Sequence, residues 1–331
     1  FLKKKEISKN LISEILLLNQ FIKLNQEGFR KIIKKHDKNS EINYKITWDW
    51  KINYNPQQKL FVLLKRISKL YDFENEDEKS EVDNENFTRK SFKFWINNNN
   101  IIPLLSHIIP NLPIFLWNDR ENIISQKISS VYFDNKDFEC YYDRLQKLQN
   151  AKLVRIRWYD DELEQVFFER KIHHEKWTLK KSIKQRFKIR NTNVLPFMRN
   201  HINFDNDLSN EIQNLINEKK LFPILRTTYD RISFQYKNNN NIRISLDLNL
   251  KMIKEKIDHT KWYTNDNDIL EEDIYNFKYN VLEIKLTGNN IENPPKWIYD
   301  LMNSNIIIKQ SLFSKYSHGM YAHFRNKLKF G

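Results

Sequence analysis

Residues 151–190, AKLVRIRWYDDELEQVFFERKIHHEKWTLKKSIKQRFKIR, contain three successive runs of two-residue alternation. A β-strand has a period of two, so each run sorts its side chains onto two faces. In the first, Leu153, Arg155, Arg157 and Tyr159 alternate with Val154, Ile156 and Trp158. In the second, Glu169, Lys171 and His173 alternate with Phe168 and Ile172. In the third, Lys184, Arg186 and Lys188 alternate with Ile183, Phe187 and Ile189. Scattered charge of both signs would make an ordinary solvated sheet surface. Here Arg155, Arg157, Lys171, Lys184 and Arg186 share one charged face, and like charges side by side repel unless an anion sits among them. A ligand with closely spaced negative charges, such as a run of phosphates, meets that need.

Composition supports an anionic partner. The formal net charge is +14 over 331 residues, and 40% hydrophobic with 14% aromatic content is enough for a sizeable core. Four glycines leave no room for a Gly-rich phosphate loop or a dinucleotide fingerprint. Cys140 is the single cysteine, which excludes an internal disulfide and fits a reducing compartment. No cluster of His and Cys has zinc spacing. The most apolar window, IIPLLSHIIPNLPIFLW at 101–117, is broken by three prolines and a histidine and is not expected to span a bilayer. Nucleic-acid binding is not expected, because the aromatics fall on apolar faces rather than between the bases. The first residue is Phe1, so the chain is read as a piece of a longer protein.

Further strands follow the same logic. RKSFKFWI (89–96) sets Lys93 and Trp95 against Phe92, Phe94 and Ile96; SSVYFDN (129–135) is another strand. FPILRTTYDRISFQY (222–236) sets Arg226 and Thr228 against Leu225 and Thr227. NIRISLDLNL (241–250) sets Arg243, Ser245 and Asp247 against Ile242, Ile244, Leu246 and Leu248, and NVLEIKLTG (280–288) sets Glu283 and Lys285 against Leu282, Ile284 and Leu286. Strands with one apolar and one charged face predict an α+β fold: a closed antiparallel β-barrel, charged faces lining a tunnel, helices packed on its apolar outside. Glu169 and Asp247 face inward too, where an ion pair with a neighbouring Arg or Lys is the expected arrangement.

Residues 1–73 read as helical, and the acidic run ENEDEKSEVDNENFTR at 74–89 reads as a linker. Lys31, Lys34, Lys35 and Lys38 fall at helical spacing and make one basic stripe, with Phe21, Ile22, Phe29, Ile32 and Ile33 behind it. The string LNQFIKLNQEGFRKIIKKHDK (18–38) resembles the third and fourth helices of SPX domains. That resemblance implies a helical sensor for inositol polyphosphates and pyrophosphates, bound by Lys31, Lys34, Lys35 and Lys38.

From Lys93 to Gly319 the segments SVYFDN, LVRIRWY, FFERKIHHEKW, KSIKQRF, RTTYDR, IRISLD, VLEIKL and FSKYSHG resemble, in order and spacing, the vacuolar transporter chaperone family. The resemblance implies a triphosphate-tunnel polymerase domain over 90–331 that makes inorganic polyphosphate from ATP. It implies phosphate binding by Lys93, Arg155, Arg157, Lys171, Lys184, Arg226, Arg243 and Lys315. Glu283 matches a metal-binding glutamate, for Mn2+ or Mg2+, with Lys285 on the same face. Glu169, Arg186 and His173 are candidate accessory residues, His173 for a phosphate contact or proton transfer. The implied partners are ATP, polyphosphate, other subunits of the complex and a membrane domain outside this chain, at the cytosolic face of a vacuole or acidocalcisome membrane. A non-catalytic polyphosphate-binding subunit and a triphosphatase are the alternatives. The triphosphatase is disfavoured because Ser91, Lys93 and Trp95 replace the E-x-E-x-K pattern common there.

Overall fold

A computed structural model describes residues 2–40, 56–72, 89–116, 123–173, 183–237, 239–256, 261–310 and 312–328. The linker at 74–89 therefore lies outside the described residues except for Arg89. In chain order come α1 (Leu2–Lys38), α2 (Pro56–Asp72), β1 (Arg89–Ile96), α3 (Ile101–Ile108), β2 (Ile114–Phe115) and β3 (Gln126–Asp134). Then follow α4 (Glu139–Leu145), β4 (Lys152–Tyr159), β5 (Glu162–Ile172), β6 (Ile183–Arg190), α5 (Asn191–Met198) and α6 (Asp207–Glu218). The last are β7 (Phe222–Phe234), β8 (Ile242–Lys254), β9 (Ile274–Asn276), β10 (Asn280–Thr287), α7 (Lys296–Met302), β11 (Ile308–Lys309) and α8 (Lys315–Phe324). Two compact units share these elements. One is Phe1–Ser125 with Ile232–Leu246 and Val281–Lys309; the other is Gln126–Arg231 with Asp247–Asn280 and Gln310–Gly331.

In the first unit the window 101–117 supplies a core helix. Ile101, Ile102, Leu104, Leu105, Ser106 and Ile108 of α3 are all buried, as expected of a helix that is apolar nearly all round. No described helix is long and apolar enough to cross a membrane. The SPX-like string lies within one continuous helix, α1, rather than in two. Ile12 and Ile15 are buried, as are Leu60, Leu64 and Ile67 of α2, and the two helices contact each other. The apolar stripe further along α1 is not covered: Phe21 is 62% and Ile32 63% exposed. The reason is length. At 1.5 Å per residue α1 is roughly 55 Å long and α2 about 25 Å, so α2 cannot reach the far half of α1.

The second unit is built on β3, β4, β5 and β6 and the start of β7. Consecutive antiparallel pairs align Ile156 with Val131 on one side and Phe168 on the other, and Phe168 with Phe187. α5 and the loop after it cap this apolar face: the Phe197 ring lies 5.3 Å from Phe168, 5.6 Å from Phe187 and 5.7 Å from Phe204. α8 crosses the opposite, charged face. Its Tyr316 hydroxyl donates to Asp134 at 2.5 Å, and the Tyr316 ring lies 5.2 Å from Tyr132. Gly319 allows the close approach, since a Cβ there would meet Cδ2 of the fully buried Leu225 at 2.5 Å. We expect Gly319→Ala to lower unfolding stability by about 1–3 kcal/mol, the usual effect of overpacking. Leu225→Val should restore part of it in urea titrations; an unchanged midpoint for Gly319→Ala alone would mean that Leu225 turns aside freely.

The hydrogen-bonded strand order is β11-β1-β10-β8-β7-β3-β4-β5-β6, with β2 on β7 and β9 on β8. An antiparallel sheet with flanking helices is as expected; a closed barrel is not observed, because among the described residues β11 and β6 end the path without pairing. Alternation fixes which face a residue occupies, whereas closure also requires a fixed stagger between the first and last strands. The end strands show why the path stops. β11 is two residues long, and β6 is exposed and studded with Lys and Arg, a common way to keep a sheet edge unpaired.

Candidate anion-binding site

Register sets the site in the second unit. One row across the sheet reads Leu225, Tyr132, Arg155, Glu169, Arg186, and the next Thr227, Ser130, Arg157, Phe167, Lys188. Lys171 faces Leu153 on one side and Lys184 on the other. Period-two folding has thus gathered the charged face predicted for 151–190.

The two buried arginines are held differently. Arg155 donates to Glu169 Oε2 from Nε at 2.7 Å and from Nη2 at 2.5 Å, and to the Tyr132 hydroxyl at 2.9 Å. Glu169 also faces Lys184 Nζ at 3.0 Å. Burial alone would raise the Glu169 carboxyl, but Arg155, Arg157 and Lys184 outweigh it and hold it at about 2. Arg157 donates to the hydroxyls of Ser130 (3.0 Å) and Tyr229 (3.2 Å), neutral groups that fix its position without offsetting its charge. Beside them, burial and then the charges of Arg155 and Arg157 push the Lys171 ammonium well below its ordinary value.

Asp247 organises the other half. Arg231 grips it with two hydrogen bonds of 2.6 and 2.8 Å, and Lys315 at the start of α8 adds a third at 2.5 Å. Lys315 Nζ also sits 4.5 Å from the centre of the Tyr229 ring. The inward carboxylates are therefore in ion pairs, as expected. Among the described residues, the cations Arg155, Arg157, Lys171, Lys184, Arg186, Arg231 and Lys315 surround the carboxylates Glu169 and Asp247, while a third carboxylate on this face, Asp134, is taken up by the Tyr316 hydroxyl. A cavity of about 210 Å³ adjoins Lys171 and Lys184, lined also by Arg144, Lys152 and His173.

Arg226 is not part of this face. Register puts it beside Val131, on the apolar side, where it pairs with Glu255 (2.6 Å) and Asp266 (2.8 Å), donates to the Thr264 carbonyl and stacks on Trp158 and Tyr263. Five residues along the strand, Arg231 has the opposite parity and takes the place on the charged face. The first unit holds the remaining candidates: Lys93 half-buried on β1, Arg243 half-buried on β8, and Glu283 paired with Lys285 at 3.0 Å on β10. Arg89 interacts electrostatically with both Arg243 and Glu283. No three His, Cys, Asp or Glu converge among the described residues, so the chain there offers a metal ion single carboxylates rather than a cage. Lys31, Lys34, Lys35 and Lys38 are exposed on α1, with Lys31 3.8 Å from Glu27.

The site has a pH signature. Burial, reinforced by Arg155 and Arg157 and opposed by Glu169, lowers the Lys184 ammonium to about 8. Tripolyphosphate affinity is therefore expected to weaken above pH 8, by up to about tenfold per pH unit if that proton is required for binding. The unliganded protein should move the other way. Between about 8 and the unfolded lysine value near 10.4, the unfolded chain holds this proton and the folded one does not, so the group's contribution to stability rises with pH. Calorimetric titrations and melts of wild type against Lys184→Met from pH 7 to 10 test both signs; parallel curves would remove Lys184 from the site.

Fold and site together define a class: an antiparallel-sheet protein with helices over its apolar face and a cation-rich, partly buried site on the other. A family model described as the VTC domain matches residues 88–324. The chain belongs to that family. Vacuolar transporter chaperone complex subunit 4 of Schizosaccharomyces pombe is 31% identical over 353 residues, covering 94% of this chain and 49% of that protein. Subunit 4 of Trypanosoma brucei brucei is 30% identical over 310 residues (78% of this chain, 39% of that protein). Subunit 2 from Schizosaccharomyces pombe is 25% identical over 369 residues (92% and 49%). The chain thus spans about half or less of the length of these relatives.

Proposed function

We propose that this chain carries a polyphosphate polymerase domain, which transfers the γ-phosphoryl group of ATP to the end of an inorganic polyphosphate chain. The observation that carries this reading is Arg157, a buried guanidinium fixed by neutral hydroxyls within a cluster where cations outnumber carboxylates. Phosphoryl transfer needs placement and neutralisation of charge more than covalent help. Arg155, Arg157 and Arg231 would bind phosphate oxygens as planar forks, and Lys171, Lys184 and Lys315 as point charges. In the first unit, Lys93, Arg243 and Lys285 are proposed phosphate-binding residues in their own right. Glu283 would hold a Mn2+ or Mg2+ ion, which needs only one or two protein carboxylates and would supply charge neutralisation and orientation. His173, which lines the cavity, would contact a phosphate there.

The similarity to subunits of the vacuolar transporter chaperone complex supports partnership with other subunits and a vacuole-associated location; an acidocalcisome and the cytosolic side of the membrane are part of the proposal itself. Control by inositol polyphosphates or pyrophosphates at Lys31, Lys34, Lys35 and Lys38 belongs to the same reading. A second reading, a polyphosphate-binding accessory subunit, rests on the similarity to subunit 2 as well as to subunit 4. Purified protein incubated with ATP and Mn2+ or Mg2+, run on a polyphosphate gel, separates them. Polymer from wild type but not from Glu283→Gln supports the polymerase. Polyphosphate binding without turnover supports the accessory subunit, and free phosphate without polymer would replace both with a triphosphatase.

A further inference from the structure

The outermost strand of the second unit carries more charge than the buried site uses. On β6, Lys184, Arg186, Lys188 and Arg190 occupy alternate positions, so all four share a face, while Gln185, Phe187 and Ile189 take the other. Register identifies the face. Lys184 lies opposite Lys171, Arg186 opposite Glu169, Lys188 opposite Phe167 and Arg190 opposite Gln165, in the same rows as Arg155 and Arg157. All four are exposed.

Neutralising charge is sparse. The one carboxylate in the facing column of β5 is Glu169, already engaged by Arg155 and Lys184. The other ion pair of β5 among the described residues, Arg170 with Glu211, is on the apolar side and involves neither Lys188 nor Arg190. Arg186 is held in place by stacking, its guanidinium carbon 4.7 Å from the centre of the Phe167 ring and Nη1 3.3 Å from the Tyr159 hydroxyl. Keeping a sheet edge from pairing explains charge on an edge strand. It does not explain four cations at consecutive positions on the face turned toward the anion site and none on the opposite face of the same strand.

We infer that β6 is an external cationic rail, along which the part of a linear polyphosphate lying outside the buried site is bound. At about 3.3 Å per residue, Lys184 to Arg190 spans roughly 20 Å, with a cation about every 6.6 Å. Lys184 links the rail to the buried cluster through Glu169 and to the cavity beside Lys171. A short phosphate ligand fills the inner cations alone; a long one also runs out along Arg186, Lys188 and Arg190. The rail therefore makes affinity depend on chain length and favours a bound product that stays attached as it lengthens. This inference rests on the polyphosphate reading.

The test is binding of tripolyphosphate, long-chain polyphosphate and a single-stranded oligonucleotide, each over a salt series, to wild type and to Lys188→Ala/Arg190→Ala. Both side chains are exposed, so the variant should fold. We expect its affinity for long-chain polyphosphate to fall about tenfold or more, with the salt slope lower by about 1–2, because each lost phosphate contact removes close to one released counterion. Tripolyphosphate affinity should stay within about twofold, by the same contact count. Equal loss for both phosphate ligands, or for neither, overturns the rail while leaving the polyphosphate reading intact. If wild type binds neither phosphate ligand, that reading fails first. If the oligonucleotide binds as tightly as long-chain polyphosphate and loses as much in the variant, the rail serves nucleic acid and the proposal is wrong.

Discussion

Arg157→Ala is expected to reduce polyphosphate formation by a factor of about 10²–10³, the usual effect of deleting one preorganised donor to developing negative charge. Its thermal midpoint should shift by only a few degrees. The asymmetry follows from the partners. Arg157 is hydrogen-bonded to Ser130 and Tyr229 hydroxyls, which can re-pair once it is gone, so the structural cost is about 1–2 kcal/mol. Removing it also relieves Lys171, whose ammonium it helps to destabilise. Arg155→Ala should behave differently. Among the described residues it leaves the fully buried Glu169 with Lys184 as its ion-pair partner and Arg157 nearby, and a broken buried pair costs about 3–5 kcal/mol. Activity assays beside melts of both variants read the difference. Arg157→Lys, which keeps the charge but loses the fork, should fall between wild type and alanine. If Arg157→Ala retains activity within about threefold, far above the loss set by a catalytic donor, then Arg157 is a structural cation and the polymerase reading loses its main support.

Much of this site was legible in the chain, for a definite reason. Alternation in LVRIRWY, FFERKI and KSIKQRFKIR assigns faces without reference to any neighbour, so Arg155, Arg157, Lys171, Lys184 and Arg186 each fall on the charged face of their own strand, and pairing brings those faces together. What alternation cannot supply is register. The hydroxyls of Ser130, Tyr132 and Tyr229 that hold the arginines come from β3 and β7, and only cross-strand pairing shows that they share the row. Arg231 is hidden from the sequence for a related reason. Parity within FPILRTTYDRISFQY puts Arg226 and Arg231 on opposite faces, but nothing local says which face is the charged one; pairing with β3 decides it. Barrel closure was beyond reach altogether, since it depends on strands far apart in sequence. Helix α1 shows the converse: its periodicity was plain, yet how much of its apolar stripe is covered depended on the length of α2.

Asp247→Asn should unlock cations that the wild-type protein keeps for itself. In the unliganded protein Asp247 is buried and accepts three hydrogen bonds from Arg231 and Lys315. Although burial opposes it, those two cations hold the Asp247 carboxyl well below the ordinary range. The sign is that of a depressed carboxylate: its stabilisation is present above the unfolded value near 3.9 and fades as pH falls through the folded value. At neutral pH the lock is therefore fully engaged, and a phosphate approaching Arg231 or Lys315 must compete with it. Removing the charge should lower unliganded stability by about 3–5 kcal/mol, because two cations lose their counter-ion. Bound phosphate can supply the missing negative charge, so the variant should gain more from ligand than wild type does. A tenfold tighter tripolyphosphate complex would return about 1.4 kcal/mol of the deficit at saturating ligand. The measurement is the gap in melting temperature between wild type and variant, with and without tripolyphosphate. A gap that narrows with ligand makes Asp247 the internal stand-in for a phosphate group and Arg231 and Lys315 part of the binding site. If the gap is the same with and without ligand, those two cations are structural, and the site contracts to the cluster around Arg155 and Arg157.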